Sequence, residues 1–129
     1  MCWHKNYVGL PFKPREFDCG VLVERVQREV FGRAIVFPHE RGLSVRDWGQ
    51  QILSLLDDYV ELTASPVEGD LVLTSCKGGT HWHVGVYFVD GGEAWMLHNF
   101  LDFKQVVNTR LRHLEREGLM LEGVYSWKL

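Results

Sequence analysis

One turn constrains this chain more than any other feature: Asp90-Gly91-Gly92-Glu93 joins two β-patterned runs, residues 81–89 and 94–100. Adjacent glycines supply the positive φ angles that a two-residue hairpin loop needs. With that loop, Asp90 faces Glu93, Val89 faces Ala94 and, continuing the count, Gly85 faces His98. Side chains alternate across a strand, so His81, His83, Gly85, Tyr87, Met96 and His98 fall on one face. Trp82, Val84, Val86, Phe88, Trp95 and Leu97 fall on the other, which is the more uniformly apolar. His83 and His98 are then diagonal neighbours about 7–8 Å apart. Gly85 places no side chain between them, so the two imidazoles can approach. A three-residue loop would reverse the parity and separate them.

Upstream of residue 60 the texture is helical. Cys19, Leu22, Val23, Val26 and Val30 follow the i, i+3, i+4, i+7 spacing of one buried helix face. Asp18 stands at the N-cap and Gly32 at the expected end. Before this helix, Trp3, Tyr7, Leu10, Phe12 and Phe17 are interrupted by Pro11 and Pro14, so residues 1–17 read as an irregular segment laid over the domain. A second helical pattern starts at Ser44 and runs through Val45, Trp48, Ile52, Leu55, Leu56 and Tyr59. After the turn at 65–70, short strands are expected at 71–74, 81–89, 94–100, 103–107 and 119–127, with a short helix at 109–117 closed by Gly118. Helices first and a mostly antiparallel sheet of about five strands afterwards make an α+β domain. The 129 residues fit one domain, 1–129.

Charge and cysteine content exclude several classes. The net charge of −3 offers no basic excess for nucleic acid, and no apolar run approaches the length of a membrane span. The first residues lack the apolar core of a secretory signal, so synthesis in the cytosol is expected. Three cysteines, Cys2, Cys19 and Cys76, do not make a disulfide framework. No cofactor is expected.

The chemistry rests on Cys19 with the two hairpin histidines. A thiol in the first turn of a helix sits beside free N–H groups and the positive end of the helix dipole, which favour thiolate. A thiol nucleophile needs a base, and the base needs a polar group to fix its tautomer and orientation. In that arrangement His83 takes the Cys19 proton and later returns it to the leaving amine, and His98 holds His83. Each residue also has a plainer reading: Cys19 as a small buried hydrophobe, His83 and His98 as polar groups on a solvent-facing sheet.

Phe17-Asp18-Cys19-Gly20-Val21-Leu22-Val23, Glu68-Gly69-Asp70-Leu71-Val72, His83-Val84-Gly85-Val86-Tyr87 and Leu97-His98 resemble, in order and approximate spacing, the motifs of NlpC-type cell-wall endopeptidases. These are papain-like cysteine peptidases of bacteria and their phages. The resemblance covers about residues 3–100. The stretches Trp3–Phe12 and Arg28–Gly32 are similar to the bacteriophage tail-associated branch, the tail assembly protein K type. The resemblance implies a papain-like domain and a Cys19–His83–His98 triad that cleaves peptidoglycan stem peptides, commonly after D-glutamate and before a diamino acid. It implies that Tyr7 helps form the substrate and oxyanion site and that Asp18 binds the free amino group of the stem peptide. N-capping alone would also explain Asp18. The Cys19 N–H is a plausible oxyanion donor. The catalytic cleft is expected between the cysteine helix and the sheet. Gly20 stands where many members carry Ser, and Glu68 replaces a common Pro. No wall-binding repeat is attached, which fits delivery to the wall by phage tail proteins.

Two other classes remain open. His81, His83, His98 and Cys76 are nitrogen and sulfur ligands that zinc accepts, although their spacing matches no zinc motif. A structural tail or assembly protein on the same scaffold is the other. Acyl transfer uses the same thioester as hydrolysis and is not separable from it in sequence. Trp48, Trp95, Phe31 and Phe88 read as core, Cys2 and Cys76 as packing thiols, and His4, His39 and His113 have no assigned role. The charged run Arg110–Glu117 reads as a solvated face.

Overall fold

A computed structural model of the chain describes residues 2–14, 16–36, 58–76, 78 and 81–128. The hairpin closes in the register the Gly-Gly loop dictates. Strands β3 (His81–Asp90) and β4 (Glu93–Phe100) pair Asp90 with Glu93, Val89 with Ala94 and so on to Val86 with Leu97. Gly91 and Gly92 take φ 62° and 75°, the left-handed region in which a Cβ would be strained.

The expected Gly85–His98 pair does not form. From Val86 and Leu97 the two strands part: β3 continues along β2 (Leu71–Cys76) as far as His81, and β4 continues along β5 (Gln105–Arg110) as far as Phe100. Gly85 lies at this fork. A Cβ there would stand 2.6 Å from the Leu97 carbonyl oxygen and 2.6 Å from Met96 Cε, so only glycine lets β4 cross this close.

Among the described residues the sheet has six strands rather than about five, all antiparallel, in the order β1-β6-β2-β3-β4-β5, with β1 at Val60–Leu62 and β6 at Met120–Trp127. β1 is the unexpected strand. It spans only three residues directly after helical Asp58 and Tyr59, too short for side-chain alternation to mark it as a strand. β5 starts two residues later than expected because Leu101–Phe103 form a 3-10 turn closed by Lys104 at φ 59°. Residues 109 and 110 extend β5, and the short helix shrinks to a 3-10 helix, Leu111–Glu117, capped by Gly118 at φ 79°. The expected helix from Ser44, with Trp48, lies outside the described residues apart from Asp58 and Tyr59, as does His39.

Helix α1 (Cys19–Val30) forms as its spacing requires. Asp18 Oδ1 accepts the Val21 N–H at 3.0 Å, satisfying one of the donors a helix start leaves free. At the other end Gly32, at φ 68°, turns the chain so that the Arg33 N–H reaches the Gln27 carbonyl at 2.9 Å. Leu22, Val23 and Val26 are fully buried against Leu71, Leu73, Val84, Val86, Phe88 and Leu97. Each such side chain contributes about 1.5–3 kcal/mol by leaving water. The Glu68-Gly69-Asp70 turn fastens the helix to the sheet, for the Gly69 carbonyl accepts from Gln27 Nε2 and Trp127 Nε1, each at 2.8 Å.

The opposite face of the sheet is not open to solvent. A second core of Val72, Tyr87, Met96, Phe100, Leu114, Leu119 and Val124 lies there beneath the 3-10 helix 111–117. The aromatic N-terminal segment is laid over the domain as expected. Trp3 meets Phe31 and Phe88 edge-on at 5.4 and 5.8 Å, and His4, which had no expected role, stacks on Phe88 at 3.9 Å. Further along, the segment bonds to the outer side of β5 through Gly9 N–H to Val106 O, Val106 N–H to Leu10 O and Phe12 N–H to Lys104 O, each 2.9 Å. That contact covers an edge which would otherwise pair with other chains.

Candidate active site

His83 and His98 meet as the register arithmetic requires. His83 Nε2 and His98 Nδ1 are 2.8 Å apart, and the two rings are packed edge to face at a centroid distance of 5.0 Å. Phe100 lies against both, 4.9 Å from His83 and 5.6 Å from His98. The pair is buried, His83 at 6% exposure and His98 at 0%, so the reading of these residues as polar groups on a solvent-facing sheet does not hold. Burial drives both imidazoles toward the neutral form. It holds His98 down to about 3, and it holds His83 well below its usual range, helped by neighbouring His98.

The contact continues away from His83. His98 Nε2 is 2.8 Å from Thr109 Oγ1, and the Thr109 hydroxyl lies 2.7 and 2.9 Å from the two carboxylate oxygens of Glu117. Four side chains from β3, β4, β5 and the 3-10 helix thus form one polar line, buried at His83, His98 and Thr109 and partly exposed at Glu117. Neither Thr109 nor Glu117 stood out in the sequence. Thr109 falls at the start of the expected short helix and is placed beside β4 only because β5 extends through it, and Glu117 sits in a charged run that reads as solvated. That run is in fact anchored: Leu114 is buried, and Glu93 across the sheet pairs with Arg110 and, at 2.7 Å, with Arg112.

Cys19 opens α1 and is buried. Its position is fixed from β4 by Asn99, another residue the sequence left unmarked, whose Nδ2 donates to the carbonyls of Phe17 at 2.7 Å and Asp18 at 3.5 Å. The backbone N–H groups of Val84, Gly20 and Cys19 itself face the sulfur. Burial, and then the negative charge of Asp18, nevertheless push the thiol well above its usual range, so that these donors and the helix dipole do not produce a thiolate at rest.

The thiol and the imidazoles approach the fork from different sides. α1 and Cys19 pack on the Val84 face of the sheet, while His83 and His98 point into the face that carries Met96 and Phe100. The imidazoles therefore do not line a cleft between helix and sheet as expected. Sulfur and His83 are nonetheless neighbours in the chain path, because the Val84 N–H that faces the sulfur belongs to the residue after His83.

Tyr7 and Asp18 both have partners on α1. The Tyr7 hydroxyl donates to Glu29 Oε1 at 2.7 Å, and the ring lies under Arg25. Glu29 is ten residues beyond Cys19, about 15 Å along the helix axis, so this hydroxyl is directed away from the thiol. Burial and the Glu29 contact push it up to about 12. Asp18 acts as the N-cap, with its carboxylate turned onto Val21 N–H. A groove of about 430 Å³ runs beside the start of α1, lined among others by Lys13, Phe17, Val21, Arg25 and Arg28, and it does not include Cys19, His83 or His98.

Among the described residues no three His, Cys, Asp or Glu side chains are grouped so as to hold a metal ion. Compared with known proteins, the chain matches no family model, no curated protein and no solved structure.

Proposed function

We propose that the protein is a cysteine endopeptidase of papain-like fold that hydrolyses peptidoglycan stem peptides at the bond between D-glutamate and a diamino acid. The observation that carries this reading is the 2.8 Å contact between His83 and His98, one residue away from the backbone amide that faces the Cys19 thiol. In this reading His83 is the neutral base, His98 the partner that orients it, and Cys19 the nucleophile at a helix start whose backbone N–H groups face the sulfur. The substrate class comes from the motif resemblance.

The chemistry starts from a neutral thiol and a neutral imidazole, because burial disfavours charge on both. Sγ attacks the scissile carbonyl carbon across the fork between β3 and β4 while its proton passes to His83 Nδ1, the nitrogen His98 does not use. The oxyanion is stabilised by the Cys19 N–H. Collapse breaks the C–N bond, and the leaving amine takes the proton from His83, which leaves a thioester on Cys19. Water then attacks the thioester, giving one proton to His83. The acid product departs, and that proton returns to the sulfur.

The similarity of Trp3–Phe12 and Arg28–Gly32 to the phage tail-associated branch favours action as part of a phage or prophage tail, with other tail proteins bringing the domain to the wall. A second reading, a structural tail protein on the same scaffold, is favoured by the burial of Cys19 and by the placement of thiol and imidazole on different faces. Defined muropeptides incubated with wild type, Cys19→Ser and His83→Gln, with products read by mass spectrometry, separate the two. The peptidase reading predicts a split stem peptide with wild type and with neither variant. Intact muropeptides in every reaction would leave the structural reading.

A further inference from the structure

We propose that Glu117, acting through Thr109, is a positioning residue that fixes the tautomers of His98 and His83 and thereby leaves His83 Nδ1 unprotonated and ready to accept a proton. The inference rests on the reading of His83 as the base.

Proton direction along the line follows from what each group can donate. An ionised carboxylate only accepts. The Thr109 hydroxyl has one hydrogen and stands 2.7 and 2.9 Å from the two Glu117 oxygens, so that hydrogen is directed to Glu117. Thr109 Oγ1 then has only lone pairs to offer His98 Nε2 at 2.8 Å, and Nε2 must carry the hydrogen. A neutral imidazole has one N–H. His98 Nδ1 is consequently an acceptor, and His83 Nε2, 2.8 Å away, must be the donor. His83 is then neutral with its lone pair on Nδ1. One carboxylate therefore sets three hydrogen bonds in the same direction.

Thr109 is a required link. The direct separation of His98 Nε2 and Glu117 Oε2 is 3.8 Å, too long for a hydrogen bond. Glu117 is held by backbone geometry just beyond it: Gly118 takes φ 79°, its N–H reaches Glu115 O at 3.0 Å, and the Leu119 N–H reaches Leu114 O at 3.0 Å. Leu114 and Leu119 are buried in the second core, so the carboxylate is carried on a fixed turn. Had the line ended at His98, either tautomer of the pair would satisfy the His83–His98 contact, and half of those arrangements would place a hydrogen on Nδ1, where no proton can be accepted.

The test is two-bond proton–nitrogen correlation spectroscopy of the nitrogen-15-labelled full chain at pH 7.5, with Thr109→Val and Glu117→Gln beside the wild type. Urea unfolding confirms that each variant is folded. Wild type is expected to show both His83 and His98 with hydrogen on Nε2. Thr109→Val removes the link and Glu117→Gln replaces one carboxylate oxygen with an NH2 that can donate to Thr109, so neither variant fixes the direction of the line, and both are expected to show the Nδ1–H form in each ring beside the Nε2–H form. Turnover of a muropeptide should fall in proportion to the His83 that carries hydrogen on Nδ1, about 2-fold where the two arrangements are equally populated, with KM little changed, since only the fraction with a free Nδ1 reacts. Nδ1–H on His83 in the wild type, or unchanged tautomers in both variants, would overturn the proposal. If the tautomers move as expected but no form of the protein cleaves a muropeptide, the relay stands and the peptidase reading fails instead.

Discussion

Lowering the pH from 7 to 5 should cost the fold about 2 kcal/mol through His98 alone. His98 is fully buried and held down to about 3, whereas an imidazole in the unfolded chain titrates near 6.5. A folded value below the unfolded one means that the unfolded chain binds the extra proton first as pH falls. The stabilisation is thus complete above about pH 6.5 and is lost progressively below it, down to about 3. At pH 5 the unfolded imidazole is about 1.5 units below its pKa, and each unit is worth about 1.4 kcal/mol, which gives about 2 kcal/mol. His83 and His4, both lowered mainly by burial, act in the same direction. Asp70 and Glu117 act against them, because burial raises their carboxyls and so favours the folded state as they protonate. A subtraction removes these other groups. Urea unfolding of wild type and of His98→Gln at pH 7 and pH 5, with equal m-values, gives two pH dependences. The variant should be less stable at both pH values, and the wild type should lose about 2 kcal/mol more than the variant between them. Equal losses would show that His98 protonates as easily in the fold as outside it, and the buried neutral pair would have to be abandoned.

Four further outcomes follow from particular contacts. Gly85→Ala puts a Cβ 2.6 Å from the Leu97 carbonyl oxygen and should cost about 1–3 kcal/mol in thermal unfolding. Asn99→Ala removes the 2.7 Å bond to Phe17 O and should cost about 1–2 kcal/mol, while alkylation of Cys19 by a small thiol reagent becomes faster as the helix start loosens. Asp18→Asn keeps a capping oxygen but removes the charge that raises the thiol, so stability should hardly change while the alkylation–pH profile of Cys19 moves to lower pH. Leu22→Ala, at a fully buried position on α1, should cost about 2–5 kcal/mol by chemical denaturation.

Local signals with one physical solution were readable in the sequence. The Gly91-Gly92 loop fixes parity, and parity alone brought His83 and His98 together. The Asp18 cap and the spacing from Cys19 to Val30 fixed α1. Features that depend on how distant strands are ordered were not readable. Thr109 joins the site only because β5 lies beside β4, and Glu117 only because the 3-10 helix covers the sheet face opposite α1. The same coverage buries a histidine face that alternation describes correctly but cannot assign to solvent or core. The fork at Gly85 was hidden for a related reason. Hairpin arithmetic assumes that pairing continues, whereas the β3–β4 register ends at Val86 and Leu97, beside the close approach of β4 to Gly85. Tyr7 shows the limit of motif spacing, since its distance from Cys19 in the chain says nothing of the Glu29 carboxylate that takes its hydroxyl.

The most direct test of Cys19 as the nucleophile is to trap it with substrate. A stem peptide ending in D-glutamate, with its side-chain carboxyl converted to a nitrile or a chloromethyl ketone, presents the electrophile where the scissile carbonyl would lie. Peptide mapping by mass spectrometry then locates the adduct among Cys2, Cys19 and Cys76. The account predicts stoichiometric modification of Cys19, abolished by His83→Gln and outcompeted by intact muropeptide. Modification of exposed Cys2 alone, with Cys19 recovered unmodified, would contradict it.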